Sequence, residues 1–288
     1  MPTLEAKDTL FKKNSTLNCR GKLLSLEVPL VMGILNLTPD SFFLGSRLSS
    51  ADEAVRKAEQ MLSEGADILD IGGYSTRPGA SDISPQEEQD RIIPAIEAIQ
   101  QHFPEAVISV DTFRAEVAEA SIAAGAHIIN DVGGGLLDEA MFETVAKLQV
   151  PYILMHMRGT PQTMASLTKY NNLVVDVLSE LQVQLAKLQQ LGVKDVIVDP
   201  GFGFAKTVEQ NFQLLCHLDD FRILGLPVLA GMSRKSMVYK SLEINQADAL
   251  TGTIAVNTVA LMKGADILRV HDVKEAKQTI VLLEKTKL

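Results

Sequence analysis

Apolar residues along this chain fall into short runs, separated by longer segments in which they recur every three or four positions. Eight runs read as strands: 30–36, 68–73, 106–111, 128–132, 152–157, 196–200, 228–233 and 267–272. They are rich in Ile, Leu and Val and mostly continuous rather than alternating, the pattern of strands covered on both faces. Between them the period is helical. Residues 51–64 place Ala54, Val55, Ala58, Met61 and Leu62 on one face. The segment 85–101 opens with Ser84, Pro85 and Glu87, a capping box with proline at the first helical position, and Pro94 inside it predicts a kink or a break. Further helical patterns fill 171–191 and 246–263, and 273–286 closes the chain.

An internal repeat sharpens the picture. Gly65-Ala66-Asp67-Ile68-Leu69-Asp70, Gly125-Ala126-His127-Ile128-Ile129-Asn130 and Gly264-Ala265-Asp266-Ile267-Leu268-Arg269 share one design, and 192–199 is a looser copy. Each puts glycine where a helix ends in a left-handed residue, then a short apolar run, then a polar residue. Eight strands alternating with helices predict a parallel sheet closed into a single (β/α)8 TIM barrel. A doubly wound open sheet is the alternative, but no Gly-x-Gly-x-x-Gly turn follows the first strand. Residues 1–29 form an N-terminal extension, in which Leu17 to Val28, interrupted by Arg20-Gly21-Lys22, reads as a hairpin able to plug the barrel's N-terminal mouth. Residues 30–288 form the barrel.

Composition narrows the class further. The 288 residues are 46% hydrophobic and 22% charged, too apolar for a disordered chain. A net charge of −9 argues against a nucleic-acid partner, though not against a small anion gripped by a local basic cluster. Two cysteines, Cys19 and Cys216, make neither a disulfide scaffold nor a cysteine-only zinc site and fit a reducing cytoplasm. The first twenty residues hold no signal-peptide stretch, and nowhere do eighteen apolar residues run together, so no membrane partner is expected.

In a barrel of this kind the C-terminal strand ends converge on one cleft. In order they offer Asn36, Ser75-Thr76-Arg77-Pro78, Asp111, Asn130-Asp131, Met155-His156, Asp199, Ser233-Arg234-Lys235 and Arg269-Val270-His271. Carboxylates and amides suit the donor-bearing edge of a flat heterocycle, and cations suit a phosphate or pyrophosphate. A divalent ion bridging the phosphates would need one or two protein oxygens, one of which Asn36 can supply. Other readings stand beside these. Asp111 can cap the helix after Thr112, Arg77 can be a surface ion-pair partner, and Asp131 can accept a supporting bond away from the ligand. Lys235 opens a helical stretch, where a cation is disfavoured unless an anion lies near. Gly133-Gly134-Gly135 reads as a flexible loop, His127 and His217 as structural, and His156 as a packed strand residue. No Cys/His spacing suggests zinc.

Taken together, these strand ends resemble those of the dihydropteroate synthase family, pterin-binding TIM barrels. The resemblance runs from Gly33-Ile34-Leu35-Asn36-Leu37-Thr38-Pro39-Asp40-Ser41-Phe42, through Gly72-Gly73-Tyr74-Ser75-Thr76-Arg77-Pro78-Gly79, Ser109-Val110-Asp111-Thr112 and Asp199-Pro200-Gly201-Phe202-Gly203-Phe204, to Gly231-Met232-Ser233-Arg234-Lys235-Ser236 and Arg269-Val270-His271. It implies a cytoplasmic, homodimeric transferase of folate biosynthesis, a sulfonamide target. Such an enzyme uses Mg2+ and joins 6-hydroxymethyl-7,8-dihydropterin pyrophosphate to 4-aminobenzoate, giving 7,8-dihydropteroate and pyrophosphate. It further implies that Asp111, Asn130, Asp199 and Lys235 bind the pterin edge, with Met155 lining its slot and Thr76 touching the pterin substrate. Arg269 would stack on the ring and, with His271, hold the pyrophosphate. Asn36 would ligate Mg2+, while Phe42, Pro78, Phe204 and Ser233 would form the aminobenzoate pocket. Asp111, Lys235, Arg269 and His271 are the catalytic set in this reading.

Two departures qualify it. The first loop reads Phe43-Leu44-Gly45-Ser46-Arg47 where the family usually continues with a small residue and Asp-Gly-Gly, and Tyr74 replaces a frequent Glu outside the presumed contact set. The rival readings are a pterin-binding methyltransferase, which needs no pyrophosphate cluster, and a silent pterin-binding paralogue. A lysine Schiff-base aldolase is weaker still.

Overall fold

The computed structural model describes residues 15–37, 47–75 and 82–286. Phe42, Thr76, Arg77 and Pro78, and most of the divergent first loop, lie outside them. A two-stranded antiparallel hairpin, β1 (Thr16–Cys19) and β2 (Lys22–Ser25), comes first. Its two-residue turn has Arg20 and Gly21 both at positive φ, +56° and +93°, the geometry that matches strand twist in tight hairpins. The barrel strands follow: β3 (Leu30–Asn36), β4 (Ile68–Gly72), β5 (Val107–Asp111), β6 (Ile128–Asp131), β7 (Tyr152–Met155), β8 (Val196–Asp199), β9 (Leu229–Ala230) and β10 (Ile267–Val270). They pair in parallel in the order β8-β7-β6-β5-β4-β3-β10-β9, and a Val198–Val228 bridge joins the two ends, so the sheet closes.

Helices α1 (Arg47–Glu64), α2 (Pro85–His102), α3 (Ala115–Ala123), α4 (Met141–Leu148), α5 (Leu173–Gln190), α6 (Val208–Cys216), α7 (Ser236–Tyr239), α8 (Leu250–Met262) and α9 (Val273–Glu284) lie between and after the strands. The helix containing Pro94 runs unbroken. Ser84 Oγ accepts from Glu87 N at 3.1 Å as expected, whereas the Glu87 carboxylate takes Arg91 at 2.6 Å. The reciprocal capping box belongs instead to Thr207 and Gln210 at the start of α6. The 246–263 pattern divides into a 3-10 turn, Gln246–Asp248, and α8. The seventh strand is shorter than 228–233, because the chain leaves the sheet after Ala230 and crosses the barrel mouth as Gly231 to Lys235.

Each repeat position has one structural job. The third residues, Asp67, His127 and Asp266, donate their backbone N–H to Val31, Ile108 and Val228 on the neighbouring strand. Their side chains accept the N–H of those same residues, at 2.8, 3.2 and 2.7 Å. The strand starts are thereby sealed. For His127 the bond requires a bare Nδ1, and burial lowers its pKa to about 4.

Strand faces divide cleanly. Val31, Leu35, Leu69, Ile71, Ile108, Val110, Ile129, Leu154, Val198 and Leu268 pack outward against the helices in one large core. Inside, Met32, Ile68, Val107, Ile128, Ile153, Ile197, Leu229 and Ile267 form a second cluster with Leu17, Cys19 and Leu26. The hairpin therefore plugs the lower barrel, as its position in the chain suggested. Arg20 Nη1 ties it down through the carbonyls of Ile122 and Ala126, at 2.8 and 3.1 Å. Two residues further along, the inward position becomes polar in five of the eight strands, at Asp70, Ser109, Asn130, Asp199 and Arg269.

Candidate active site

That upper layer begins with the sixth residues of the three repeats, and they meet. Asp70 Oδ2 accepts from Arg269 Nε at 2.6 Å and from Asn130 Nδ2 at 3.0 Å. Arg269 Nη2 donates to Asp111 Oδ2 at 2.5 Å, so one guanidinium is clamped by two carboxylates. Asp70 is fully buried with Oδ1 unpaired, while Asp111 keeps 21% of its side chain exposed. Above the layer opens a cavity of about 750 Å3. Asn36, Asp111, Phe204, Ser233, Lys235, Arg269 and His271 all line it. Asn130, Met155 and Asp199, at the ends of their strands, are 6%, 6% and 5% exposed. These sites come from seven of the eight barrel strands or the loops that follow them.

Two loops complete the walls. After β8, Asp199 Oδ1 accepts from Gly201 N at 2.7 Å. Gly201 has φ +73°, and a Cβ there would stand 2.0 Å from the His156 carbonyl, so only glycine fits. After β9, the Lys235 ammonium reaches the Phe202 carbonyl and sits 4.8 Å from the Phe204 ring centre. Lys235 is also the N-cap of α7, an unfavourable place for a cation that Asp199 offsets. Ser233 Oγ accepts from the His271 backbone N–H at 3.1 Å and lies 3.0 Å from its Nδ1. The hydroxyl keeps a second lone pair and its own hydrogen, so either atom of this contact can be the donor. Arg234, between these two, turns away and grips Asp272 at 2.9 and 2.7 Å.

A family model described as pterin binding enzyme matches residues 32–271. The chain belongs to the pterin-binding enzyme family. The dihydropteroate synthase of Escherichia coli K12 is 44% identical over 93% of this chain and 95% of its own length. Among solved structures, the Yersinia pestis dihydropteroate synthase in complex with a sulfonamide drug superposes with a TM-score of 0.89 at 43% identity, covering 94% of this chain and 99% of that one. The Xanthomonas albilineans dihydropteroate synthase with 4-aminobenzoic acid gives 0.88 at 39% identity, covering 95% and 98%. Within the pterin-binding family this chain stands with the dihydropteroate synthases and is a transferase.

The electrostatics of this pterin-binding enzyme follow from burial. Desolvation raises the pKa of Asp111, with Arg269 opposing and Asp70 adding to the rise. Asp199 is raised by the same cause, against Lys235. Burial pushes Lys235 down to about 8, held up in part by Asp199. Arg269 is raised despite burial, because Asp70 and Asp111 favour its charged form.

Several residues were not legible beforehand. Asp70 is one. Tyr74 is another: it lines the cavity, its ring edge-on to Phe113 at 5.0 Å. A third is Lys206, also on the cavity wall, whose ammonium burial pushes down to about 7. It donates to His156, which is therefore a polar link and not merely packed. Asp111 does not cap α3; Asp138 Oδ2 accepts from Ala115 N at 2.7 Å instead. Asp131 supports from behind, taking Gly133 N, Gly135 N and Tyr152 OH at 2.7, 2.7 and 2.6 Å. The triple-glycine segment is thus a tied, packed turn rather than a flexible loop.

Proposed function

We propose that this cavity holds the two substrates of dihydropteroate synthesis end to end, with Asp111, Asn130, Asp199 and Lys235 on the pterin edge and Arg269 and His271 on the diphosphate. The reaction joins 6-hydroxymethyl-7,8-dihydropterin pyrophosphate to 4-aminobenzoate, giving 7,8-dihydropteroate and pyrophosphate. The observation that carries the assignment is the Arg269 clamp, which sets a guanidinium between Asp70 and Asp111 within a cavity that Lys235 and His271 also line. Carboxylates and an amide at its base suit a heterocycle rich in donors, and the cations suit the anionic tail. In this reading Met155 backs the pterin slot and Thr76 touches the pterin, while Phe42, Pro78, Phe204 and Ser233 face the aminobenzoate.

As the methylene C–O bond breaks, its electron pair leaves with the diphosphate. Arg269 and the His271 ring meet that growing charge from fixed positions, which is where preorganised electrostatics accelerate a reaction. The positive charge left on the methylene spreads into the electron-rich ring, and Asp111 and Asp199 stabilise it. The neutral aromatic amine then attacks and releases its proton to solvent, so no strong base is required.

Mg2+ is the cofactor in this reading. Asn36 lies on the cavity wall, and among the described residues no cluster of three His, Cys, Asp or Glu side chains can hold a metal. That donor set fits an ion bound chiefly by diphosphate oxygens with one protein oxygen beside them. When bound, it supplies charge neutralisation to the leaving group.

We place the protein in the cytoplasm as a homodimer. Cys19 and Cys216 are free thiols, and among the described residues no helix is long and apolar enough to cross a membrane. Val259, Met262, Val281 and Leu282 expose an apolar face on α8 and α9, consistent with an interface between copies.

The test is pyrophosphate release from the pterin substrate and 4-aminobenzoate, with and without chelator. Release that needs both substrates and stops with chelator supports the reading. Tight pterin binding without release would refute it in favour of a silent paralogue.

A further inference from the structure

Lys206 is a buried cation to which the reaction above gives no task. Its residue is 9% exposed and lies on the cavity wall. The ammonium stands 3.0 Å from the Gly201 carbonyl, 3.1 Å from the Phe204 carbonyl and 3.0 Å from His156 Nδ1. A lysine ammonium has three N–H groups and no acceptor. All three are spoken for, so none remains for a carboxylate or phosphate in the cavity. Lys206 can act on a ligand only through what it holds.

What it holds is the loop after β8. That loop has positive φ at Gly201, Gly203 and Ala205, and Ala205 adopts it despite its Cβ. A conformation of this kind persists only when its surroundings fix it. Gly203 N donates to Asn211 Oδ1 at 2.7 Å, and Tyr170 OH donates to the Ala205 carbonyl at 3.0 Å. The two lysines share the carbonyls between them: Gly201 and Phe204 face Lys206, and Phe202 faces Lys235.

Behind Lys206 a chain of contacts runs outward. Because lysine cannot accept, His156 Nδ1 receives its proton donor, and Nε2–H points at Glu180 Oε2, 3.0 Å away. Arg158 Nε donates to Glu180 at 3.1 Å, and its guanidinium lies 3.9 Å from the Tyr170 ring centre. The anchor is rigid and reaches the same Tyr170 that braces Ala205.

We propose that Lys206 is a positioning residue for the reaction: by pinning the Gly201 and Phe204 carbonyls against His156, it sets where Phe204 stands and so how tightly the cavity grips 4-aminobenzoate. This rests on the assignment of Phe204 to the aminobenzoate side. The pterin side has a brace of its own in the Asp70–Arg269–Asp111 clamp, and shares with this loop only the Asp199–Gly201 and Lys235–Phe202 contacts.

The experiment compares wild type, Lys206→Met and His156→Phe at about pH 6, where the lysine carries its proton. Lys206→Met keeps the stem and removes the donors. It should raise the KM for 4-aminobenzoate about tenfold or more while kcat changes less than about threefold. Its Kd for pterin pyrophosphate, measured by calorimetry without the second substrate, should stay within about threefold of wild type. His156→Phe removes one of the three acceptors and should move the same KM in the same direction by about threefold, so it carries the test if Lys206→Met does not fold. An aminobenzoate KM unmoved in a folded variant overturns the proposal, since a merely structural role lowers the melting temperature and the active fraction without moving KM. A loss concentrated in pterin pyrophosphate binding also overturns it. Wild type that releases no pyrophosphate would instead remove the functional reading itself.

Discussion

Replacing Asp70 by asparagine changes one atom and one charge at the point where Arg269 is held. The side chain is fully buried, its Oδ2 takes Arg269 Nε at 2.6 Å and Asn130 Nδ2 at 3.0 Å, and its Oδ1 has no partner. Asparagine can keep the oxygen facing Arg269 and put its NH2 group where the unpaired Oδ1 now stands. Shape and packing survive, but an unpartnered acceptor is exchanged for an unpartnered donor, at a cost of about 1 to 3 kcal/mol to the fold. What is lost is the carboxylate charge opposite Arg269; the bond stays charge-assisted through the guanidinium, so the loss is at most about 1.5 to 3 kcal/mol. Arg269 keeps Asp111 as its remaining carboxylate and is drawn toward it. If the guanidinium must stand between both carboxylates to meet the leaving diphosphate, that energy appears in the rate. The expected fall in kcat/KM for pterin pyrophosphate is at most about 10- to 150-fold, with kcat carrying most of it. The melting temperature should fall by about 2 to 4 °C for each kcal/mol of the cost to the fold. Stopped pyrophosphate-release assays and thermal melts of the same preparations separate the two. A control sharpens the result. On an Arg269→Ala background, Asp70→Asn should cost less than about threefold, because its effect passes through the residue already removed. Full activity in Asp70→Asn, or additive losses in the double variant, would refute the clamp as a source of rate.

Three further outcomes are expected. Lys235→Ala should lower the rate at least tenfold, about 1.4 kcal/mol or more, and near-normal turnover would remove Lys235 from the site. Lys235 has its pKa depressed to about 8 by burial, so it is charged below that pH and loses its proton above it. The kcat/KM profile should therefore fall on the alkaline side of about 8 in wild type, and Lys235→Ala should lack that limb; a limb surviving unchanged would assign it elsewhere. Leu17→Ala empties a position 1% exposed inside the lower barrel and should cost about 2 to 5 kcal/mol in urea denaturation while leaving both KM values within twofold. A changed KM would mean the plug and the reactive rim communicate.

How much of this was readable in advance depends on the range of the interactions. The eight strands follow from local apolar runs and their glycine punctuation, and the hairpin plug from chain order, so both were legible. The site was legible where a strand end ran into a conspicuous polar cluster, as at Lys235, Arg269 and His271. Asp70 was missed although the repeat displays it, because its strand was carried on to residue 73 and attention went to Ser75 onward. The signal was its shared place with Asn130 and Arg269 in a six-residue repeat, since equal register in neighbouring strands brings inward side chains to one level. No such signal exists for Lys206, His156 and Glu180. His156 stands 24 residues before Glu180 and 50 before Lys206; the three belong to different kinds of element and meet only because the β8 loop folds back. Tyr74 was set aside by comparison with a motif rather than by its position beside the cavity.

The inward face of the barrel shows why the same strands serve both stability and chemistry. Ile68 precedes Asp70, Val107 precedes Ser109, Ile128 precedes Asn130, Ile197 precedes Asp199 and Ile267 precedes Arg269, each by two residues. The lower level, sealed by the hairpin, gains from burying apolar surface. The upper level has to bury charge, which is tolerated only when each group is compensated. Here compensation comes from within: Arg269 by Asp70 and Asp111, Lys235 by Asp199 and a carbonyl, Lys206 by two carbonyls and His156. The cations are consequently fixed in place before any anion arrives, and the reorganisation they would need in water is already complete. In the proposed reaction, a ligand that brings its own negative tail and a donor-rich ring would exchange partners with Arg269 and Lys235, while Lys206 keeps its own. That exchange, rather than any single residue, would then couple pterin recognition to departure of the diphosphate in the proposed reaction.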